Sequence, residues 1–193
     1  MFDDVARHPL NPFPNKLYNQ PGGPDVYEGV KVDYSGQSVT AANFLAVLAG
    51  NASAIVKGPT ANGRVLESGP QDHVFVYYSD HGAPGIVGMP SGPFLFADQW
   101  LRVLRARSGV GFEHMVIYLE ACESGSMFEG LLPKNISVFA TTAANARESS
   151  WGTYCPGMHP SPPFELMTCL GDLYRWGSEL ERREDYRDAK RLG

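Results

Sequence analysis

The sequence lacks the features that mark several large classes of protein. It has no apolar run of about 18 residues or more, so no membrane-spanning helix is expected. Its opening residues, MFDDVARHPL, are polar from the third position, so no signal peptide is expected. There is no internal repeat, no glycine-rich phosphate loop and no paired CxxC motif. The sequence therefore gives no support to a repeat protein, a nucleotide-binding loop or a zinc ribbon.

Positive charge and metal-ligand patterns are scarce as well. Lys and Arg number 16 against 21 Asp and Glu, for a formal net charge of -5, which argues against a nucleic-acid partner. The 5 histidines are scattered, and no pair has the i, i+4 spacing that zinc sites favour. We therefore expect neither a metal nor a cofactor.

Hydrophobic patterning predicts one α/β domain. The chain has 193 residues, 43% hydrophobic and 19% charged, and is long enough to bury a core. Residues 1–35 are rich in Pro and Gly and predict a loop. The rest predicts helices at 38–51, 96–109 and 127–133, and strands at 73–79, 115–120 and 136–144. This alternation predicts a mostly parallel sheet with right-handed crossovers.

Two details of the pattern give more specific expectations. Thr40 is placed to cap the first helix, because its hydroxyl can accept a hydrogen bond from a free backbone N–H. The strand at 73–79 has polar residues mainly at its ends, as in a strand covered on both faces.

Two of the predicted strands end in residues that carry chemistry. The segment VFVYYSDHGAPG places His81 after the strand at 73–79, and MVIYLEACESGS places Cys122 after the strand at 115–120. Ligand sites of parallel sheets lie beyond the carboxyl ends of the strands. The topology therefore predicts that His81 and Cys122 lie on the same edge of the sheet.

A cysteine and a histidine at one edge suit attack on an amide carbonyl. A free thiol has a pKa of about 8.5 and needs a base, which a neighbouring His supplies before it protonates the leaving amine. Gly82 lets a substrate approach without a Cβ in the way, and its N–H can join that of Cys122 in an oxyanion hole. The spacing also leaves a plainer alternative open, in which His81 is a loop residue and Cys122 a small buried core residue.

Three longer segments resemble the legumain family, the asparaginyl endopeptidases also called vacuolar processing enzymes, of peptidase family C13. They are YYSDHGAPGIVGMP, YLEACESGSMFEGLLP and ATTAANARESSWGTYCPG, and the likeness is closest to the plant members. The resemblance implies a caspase-like three-layer α/β fold and a cysteine endopeptidase that cuts proteins and peptides after asparagine. It also implies a vacuolar or lysosomal location, reached through the secretory pathway.

The resemblance implies roles for individual residues of the centre. His81 matches the catalytic histidine and Cys122 the nucleophile, while Gly82 and the Cys122 amide match the oxyanion donors. Asp80 matches an acid beside the histidine, and its plainer role is to orient the loop through backbone hydrogen bonds.

The pocket for the substrate's asparagine side chain is implied in the same way. Glu120, Ser150 and Asp172 match pocket positions, and their oxygens can accept hydrogen bonds from the N–H₂ of a primary amide. The plainer alternative for Glu120 is a surface acid.

Four further positions suit a protein of the secretory pathway. Cys155 and Cys169 can pair and leave Cys122 over, and the resemblance places them in a loop disulfide of the plant members. Asn51 and Asn135 each begin a triplet that fits the N-glycosylation sequon, although such triplets are common by chance.

The chain also departs from the legumain pattern. It has no counterpart of the family's first strand and helix, and the likeness stops after Tyr174. We therefore expect a chain truncated at both ends, with a partial peptidase domain over 1–174 and a divergent charged tail over 175–193. The strand at 73–79 should then be an edge strand, with one face of the sheet uncovered. Two alternatives stay open: an enzyme like the transamidase that attaches glycolipid anchors, and an inactive fragment or homologue.

Overall fold

The computed structural model describes residues 22–152 without a gap, together with residues 1, 5–7, 9, 11 and 13–19. The chain divides into two compact units, Met1–Asp3 with Val32–Ser150 and Asp4–Lys31 with Trp151–Gly193. The sheet and the site described below belong to the first unit. The domain boundary expected at residue 174 lies outside the described residues and stays a prediction.

The described part of the first unit contains two α-helices and six strands. In order, its α-helices and strands are α1 (Ala41–Leu48), β1 (His73–Ser79), β2 (Gly82–Ala83), β3 (Ile86–Val87), β4 (Leu95–Phe96), α2 (Ala97–Arg107), β5 (His114–Glu120) and β6 (Val138–Thr142). Strands β1, β5 and β6 form a parallel sheet in the order β1-β5-β6. The predicted α/β class with a mostly parallel sheet is confirmed.

Both helices lie where the sequence pattern predicts them. The Thr40 hydroxyl accepts a hydrogen bond from the Asn43 N–H at 3.2 Å, so the predicted cap of α1 is confirmed. Helix α2 is amphipathic and buries Trp100, Leu101 and Leu104 in the main core. Within the described part of the chain, no helix has the length and apolar character that a membrane span requires.

The core lies on one face of the parallel sheet. In β1, Val74 and Tyr78 are each 9% exposed, whereas Phe75 is 62% and Tyr77 is 44% exposed. The expectation that this strand is covered on both faces is therefore wrong, because apolar side chains alternate between a covered and an exposed face. Among the residues that the structure describes, β1 ends the sheet order and the face that carries Phe75 and Tyr77 is exposed, as expected for an edge strand with one open face.

The predicted helix at 127–133 does not form. Met127 closes a short 3₁₀ helix, Ser124–Met127, and turns follow it. The backbone of Gly130 has a φ of 69°, which a right-handed helix cannot accommodate. The apolar spacing of this segment thus reflects turn residues that pack on the core, not a helical stripe.

A small antiparallel sheet, not predicted from the sequence, follows the histidine. Strands β2, β3 and β4 pair in that order, with Gly82 opposite Val87. The turn between β2 and β3 consists of Pro84 and Gly85, and the φ of Gly85 is 74°. Pro followed by Gly with a positive φ is the signature of a type II turn, a signal that the sequence does contain.

Candidate active site

The ends of β1 and β5 lie side by side, and their backbones stay in contact beyond the sheet. Ser79 is opposite Glu120, and the N–H of the next residue, Asp80, donates to the Glu120 carbonyl at 3.1 Å. A Cβ added to Gly82 would lie 2.1 Å from the carbonyl oxygen of Cys122. The absence of a side chain at Gly82 therefore allows the two chain segments to touch, a reason distinct from access for a substrate.

The thiol of Cys122 is half-buried and faces a neighbouring segment. It is a free cysteine, and its Sγ donates a hydrogen bond to the Ser150 carbonyl at 3.5 Å. The next residue, Glu123, has a φ of 48° and donates its N–H to the Glu148 carbonyl at 2.8 Å. A left-handed conformation at a non-glycine residue costs about 1–3 kcal/mol and persists only where its surroundings hold it. The turn after Cys122 is thus held by the segment 148–150.

Two serine hydroxyl groups fix this turn to both neighbouring segments. The Ser124 hydroxyl, which is fully buried, donates to the Ala144 carbonyl at 3.2 Å and accepts from the Ala144 N–H at 3.1 Å. The Ser126 hydroxyl accepts from the Gly85 N–H at 2.8 Å and donates to the Glu123 carbonyl at 2.6 Å. The contacts of Ser124 with Ala144 and of Ser126 with Gly85 join distant positions, so no local sequence pattern indicates them.

The carboxyl group of Glu120 points into the structure and not into solvent. Glu120 is the last residue of β5, it is 4% exposed, and its Oε1 accepts a hydrogen bond from the Ser150 hydroxyl. The alternative of a surface acid is therefore wrong. A carboxyl group removed from water must be hydrogen-bonded to be tolerated, and the Ser150 hydroxyl supplies one such bond. The structure thus brings together two of the three residues predicted for the substrate pocket.

The backbone of His81 is held on both sides, while its side chain is exposed. Its N–H donates to Oδ1 of Asp80 at 2.6 Å, and its carbonyl accepts from the Gly88 N–H at 2.7 Å. Asp80 therefore has the loop-orienting role expected of it. The exposed imidazole is not a core residue, so it is accessible to a substrate.

The remaining predicted residues fall into two groups. Asp172, Cys155 and Cys169 lie outside the described residues, so the third pocket position and the disulfide stay predictions. Asn51 and Asn135 are both exposed, as glycosylation requires. Over the residues that the structure describes, no group of three or more His, Cys, Asp or Glu side chains could hold a metal ion.

Comparison with known proteins identifies one family along nearly the whole chain. Residues 1–190 match the Peptidase C13 family. The chain is 57% identical over 175 residues to the vacuolar-processing enzyme beta-isozyme of Arabidopsis thaliana, a match that covers 90% of this chain and 35% of that protein. Legumain of Canavalia ensiformis is 51% identical over 175 residues, covering 90% of this chain and 36% of that protein.

A third relative matches a longer part of the chain. The vacuolar-processing enzyme of Glycine max is 53% identical over 192 residues, covering 98% of this chain and 38% of that protein. The chain thus spans between 35% and 38% of the length of these curated relatives.

Proposed function

Because the chain belongs to the Peptidase C13 family, we propose that it is a cysteine endopeptidase that hydrolyses peptide bonds after asparagine. One observation supports this most directly: the backbone of Gly82 lies against that of Cys122, so that the histidine and the cysteine leave neighbouring strands at one edge of the sheet. The names of the relatives, legumain and vacuolar-processing enzyme, are consistent with this activity and with action in the vacuole.

In the proposed reaction, His81 and Cys122 act in turn on the scissile amide. The imidazole takes the proton of the thiol, and the thiolate attacks the carbonyl carbon, whose oxygen becomes negatively charged. The N–H groups of Gly82 and Cys122 donate to that oxygen, each contributing a few kcal/mol by order of magnitude. The protonated imidazole then gives its proton to the leaving amine, and water hydrolyses the thioester.

The side chain of the substrate's asparagine is proposed to meet Glu120 and Ser150. A primary amide presents two N–H donors and one carbonyl acceptor. The Glu120 carboxylate and the Ser150 hydroxyl, already joined by a hydrogen bond, provide acceptors for the N–H₂ group. Asp172 would supply a further acceptor, and a cationic or N–H donor would hold the amide oxygen. A substrate without the amide cannot donate hydrogen bonds to these acceptors, which is the physical basis of selectivity.

We expect Glu120→Gln to lower kcat/KM for an asparagine peptide about ten- to hundredfold, because the bond to a charged acceptor is lost. The measurement uses residues 1–193 with fluorogenic peptides that differ only in Asn or Ala before the cleaved bond, at mildly acidic pH. Glu113→Gln is the matched control, since Glu113 lies just before the opposite end of the same strand and contacts the exposed His73.

A preference for the asparagine peptide that falls in Glu120→Gln and stays in Glu113→Gln supports the pocket. An unchanged preference in Glu120→Gln would remove Glu120 from it. Equal hydrolysis by the wild type and Cys122→Ser would remove the proposed activity from this chain altogether.

Glycosylation and a disulfide are proposed alongside the activity. Oδ1 of Asn51 accepts from the Ser53 N–H at 3.1 Å and from the Ser53 hydroxyl at 2.7 Å, so the sequon forms a local turn with the asparagine exposed. The pairing of Cys155 with Cys169 would close a loop of about 14 residues and contribute nominally about 3 kcal/mol. Both modifications fit a protein that matures in an oxidising compartment.

A further inference from the structure

The backbone of His81 is connected to the hydrophobic core through a hydrogen-bonded loop. The Gly88 N–H donates to the His81 carbonyl at 2.7 Å, and the carbonyl of the same Gly88 accepts from the hydroxyl of Tyr78. Tyr78 precedes His81 by three positions, in strand β1. Both backbone groups of one buried residue are therefore engaged, one with the histidine and one with a core side chain.

The position of the Tyr78 hydroxyl is fixed by packing of its ring. Tyr78 is 9% exposed, and its ring makes an edge contact with Phe44 of α1, with ring centroids 5.3 Å apart. On the other side it meets Trp100 of α2 at 5.5 Å. Such aromatic contacts hold a ring in one orientation. The fixed ring therefore holds the hydroxyl against the Gly88 carbonyl, with Sδ of Met89, 2.7 Å away, as a second acceptor.

The Tyr78 hydroxyl remains a donor over the whole working pH range. Burial, and secondarily the negative charge of Asp80, raise the pKa of Tyr78 above its ordinary value. The bond to Gly88 is therefore present in acid and at neutral pH alike. Titration of the hydroxyl should therefore not break this bond in that range.

The loop also leaves room at Gly88 for the carboxylate of Asp80, which accepts the N–H of His81. A Cβ added to Gly88 would lie 2.7 Å from Oδ1 of Asp80 and 3.3 Å from the His81 carbonyl oxygen. The same Oδ1 accepts the His81 N–H. A side chain at Gly88 would therefore disturb both hydrogen bonds to the histidine backbone.

We infer that Tyr78 is a positioning residue for the catalytic histidine, acting through Gly88, which joins the core to the backbone of His81. This inference rests on the proposed function, because it requires His81 to act on Cys122. In Tyr78→Phe the ring packing stays while the Gly88 carbonyl loses its donor. The loop from residue 81 to residue 88 is then less restrained, and the imidazole spends less time within reach of the thiol.

The experiment measures alkylation of Cys122 by iodoacetamide as a function of pH, in the full chain, for the wild type, Tyr78→Phe and His81→Ala. Near neutral pH we expect Tyr78→Phe to react about tenfold more slowly than the wild type, because a small misplacement of a catalytic group has effects of this size. Well above the ordinary thiol pKa of about 8.5, the thiolate forms without the histidine, and the two rates should converge. A general loss of structure would alter the rate at every pH.

Tyr34→Phe is the matched control for removal of a buried hydroxyl. Tyr34 is 1% exposed, its hydroxyl donates to the Arg64 carbonyl at 2.6 Å, and it belongs to a separate hydrophobic cluster. We expect its alkylation rate to match the wild type at every pH. Gly88→Ala is a second test of the same loop and should reproduce the slow rate near neutral pH.

The possible results separate this inference from the function on which it rests. If the wild type reacts faster than His81→Ala and Tyr78→Phe reacts like the wild type, the role of Tyr78 is overturned and the proposed catalytic pair stands. If Tyr34→Phe slows the reaction as much as Tyr78→Phe, the effect is one of stability and the inference is likewise overturned. If the wild type reacts no faster than His81→Ala near neutral pH, the pair itself fails, and the positioning role fails with it.

Discussion

Cys122→Ala is expected to keep the fold and to lose at least about a thousandfold in peptide hydrolysis, as removal of a covalent nucleophile typically does. The thiol is half-buried and makes one hydrogen bond, to the Ser150 carbonyl at 3.5 Å, so little packing depends on it. Removal of the thiol is therefore expected to lower the rate of hydrolysis while leaving the free energy of unfolding nearly unchanged. Hydrolysis of the asparagine peptide and urea unfolding, measured on the same preparations, give both quantities.

The control for Cys122→Ala removes a comparable group elsewhere. Ser108 is also half-buried, and its hydroxyl donates to the Ile136 carbonyl at 3.1 Å, away from the proposed site. Ser108→Ala should retain the wild-type rate. Residual hydrolysis by Cys122→Ala near the wild-type level would mean that another group performs the reaction.

Gly82→Ala is expected to have the second largest effect, because it damages both the site and the fold. The added methyl group would lie 2.1 Å from the Cys122 carbonyl oxygen and 2.9 Å from Cβ of Ala121. These atoms belong to the backbone and to a short side chain, so the two strand ends must move apart. A displacement of about 1 Å at reacting groups can cost about a hundredfold in rate. Forced contacts of this kind also cost about 1–3 kcal/mol of stability.

Gly69→Ala is the matched control for Gly82→Ala. A Cβ at Gly69 would meet Oδ2 of Asp72 at an ordinary van der Waals distance of 3.8 Å. We expect Gly69→Ala to change neither the rate nor the urea midpoint appreciably. If Gly82→Ala retained the wild-type rate and midpoint, the close approach of the two strand ends would not be a condition of activity.

Sequence patterning predicts the two strands that carry the site better than it predicts how those strands are covered or what structure follows them. The apolar runs of β1 and β5 are long and sharply bounded, and both strands form within one residue of the predicted limits. Periodicity alone does not show whether one face of a strand or both are covered, so it does not predict the exposed face at Phe75 and Tyr77. The segment after Met127 contains apolar residues at helical spacing, yet the left-handed Gly130 prevents a helix.

In the site, too, the sequence predicts the position of residues along the strands but not the contacts between residues far apart in the chain. The placement of His81 and Cys122 after parallel strands follows from topology, whereas the contact of Glu120 with Ser150 joins residues 30 positions apart. The family resemblance implies that both residues belong to one pocket, and residue spacing does not. The link from Tyr78 to Gly88 could not be foreseen, since it depends on a small sheet of two-residue strands that the pattern did not predict.

The central claim is that the imidazole of His81 activates the thiol of Cys122. The most direct test is the rate of covalent labelling by a peptide that ends in an asparagine chloromethyl ketone, with the modified residue identified by mass spectrometry. We predict a single adduct on Cys122 that forms at least about a hundredfold more slowly in His81→Ala, the scale of general-base assistance. Equal labelling rates in the wild type and His81→Ala, or an adduct on another residue, would contradict the claim.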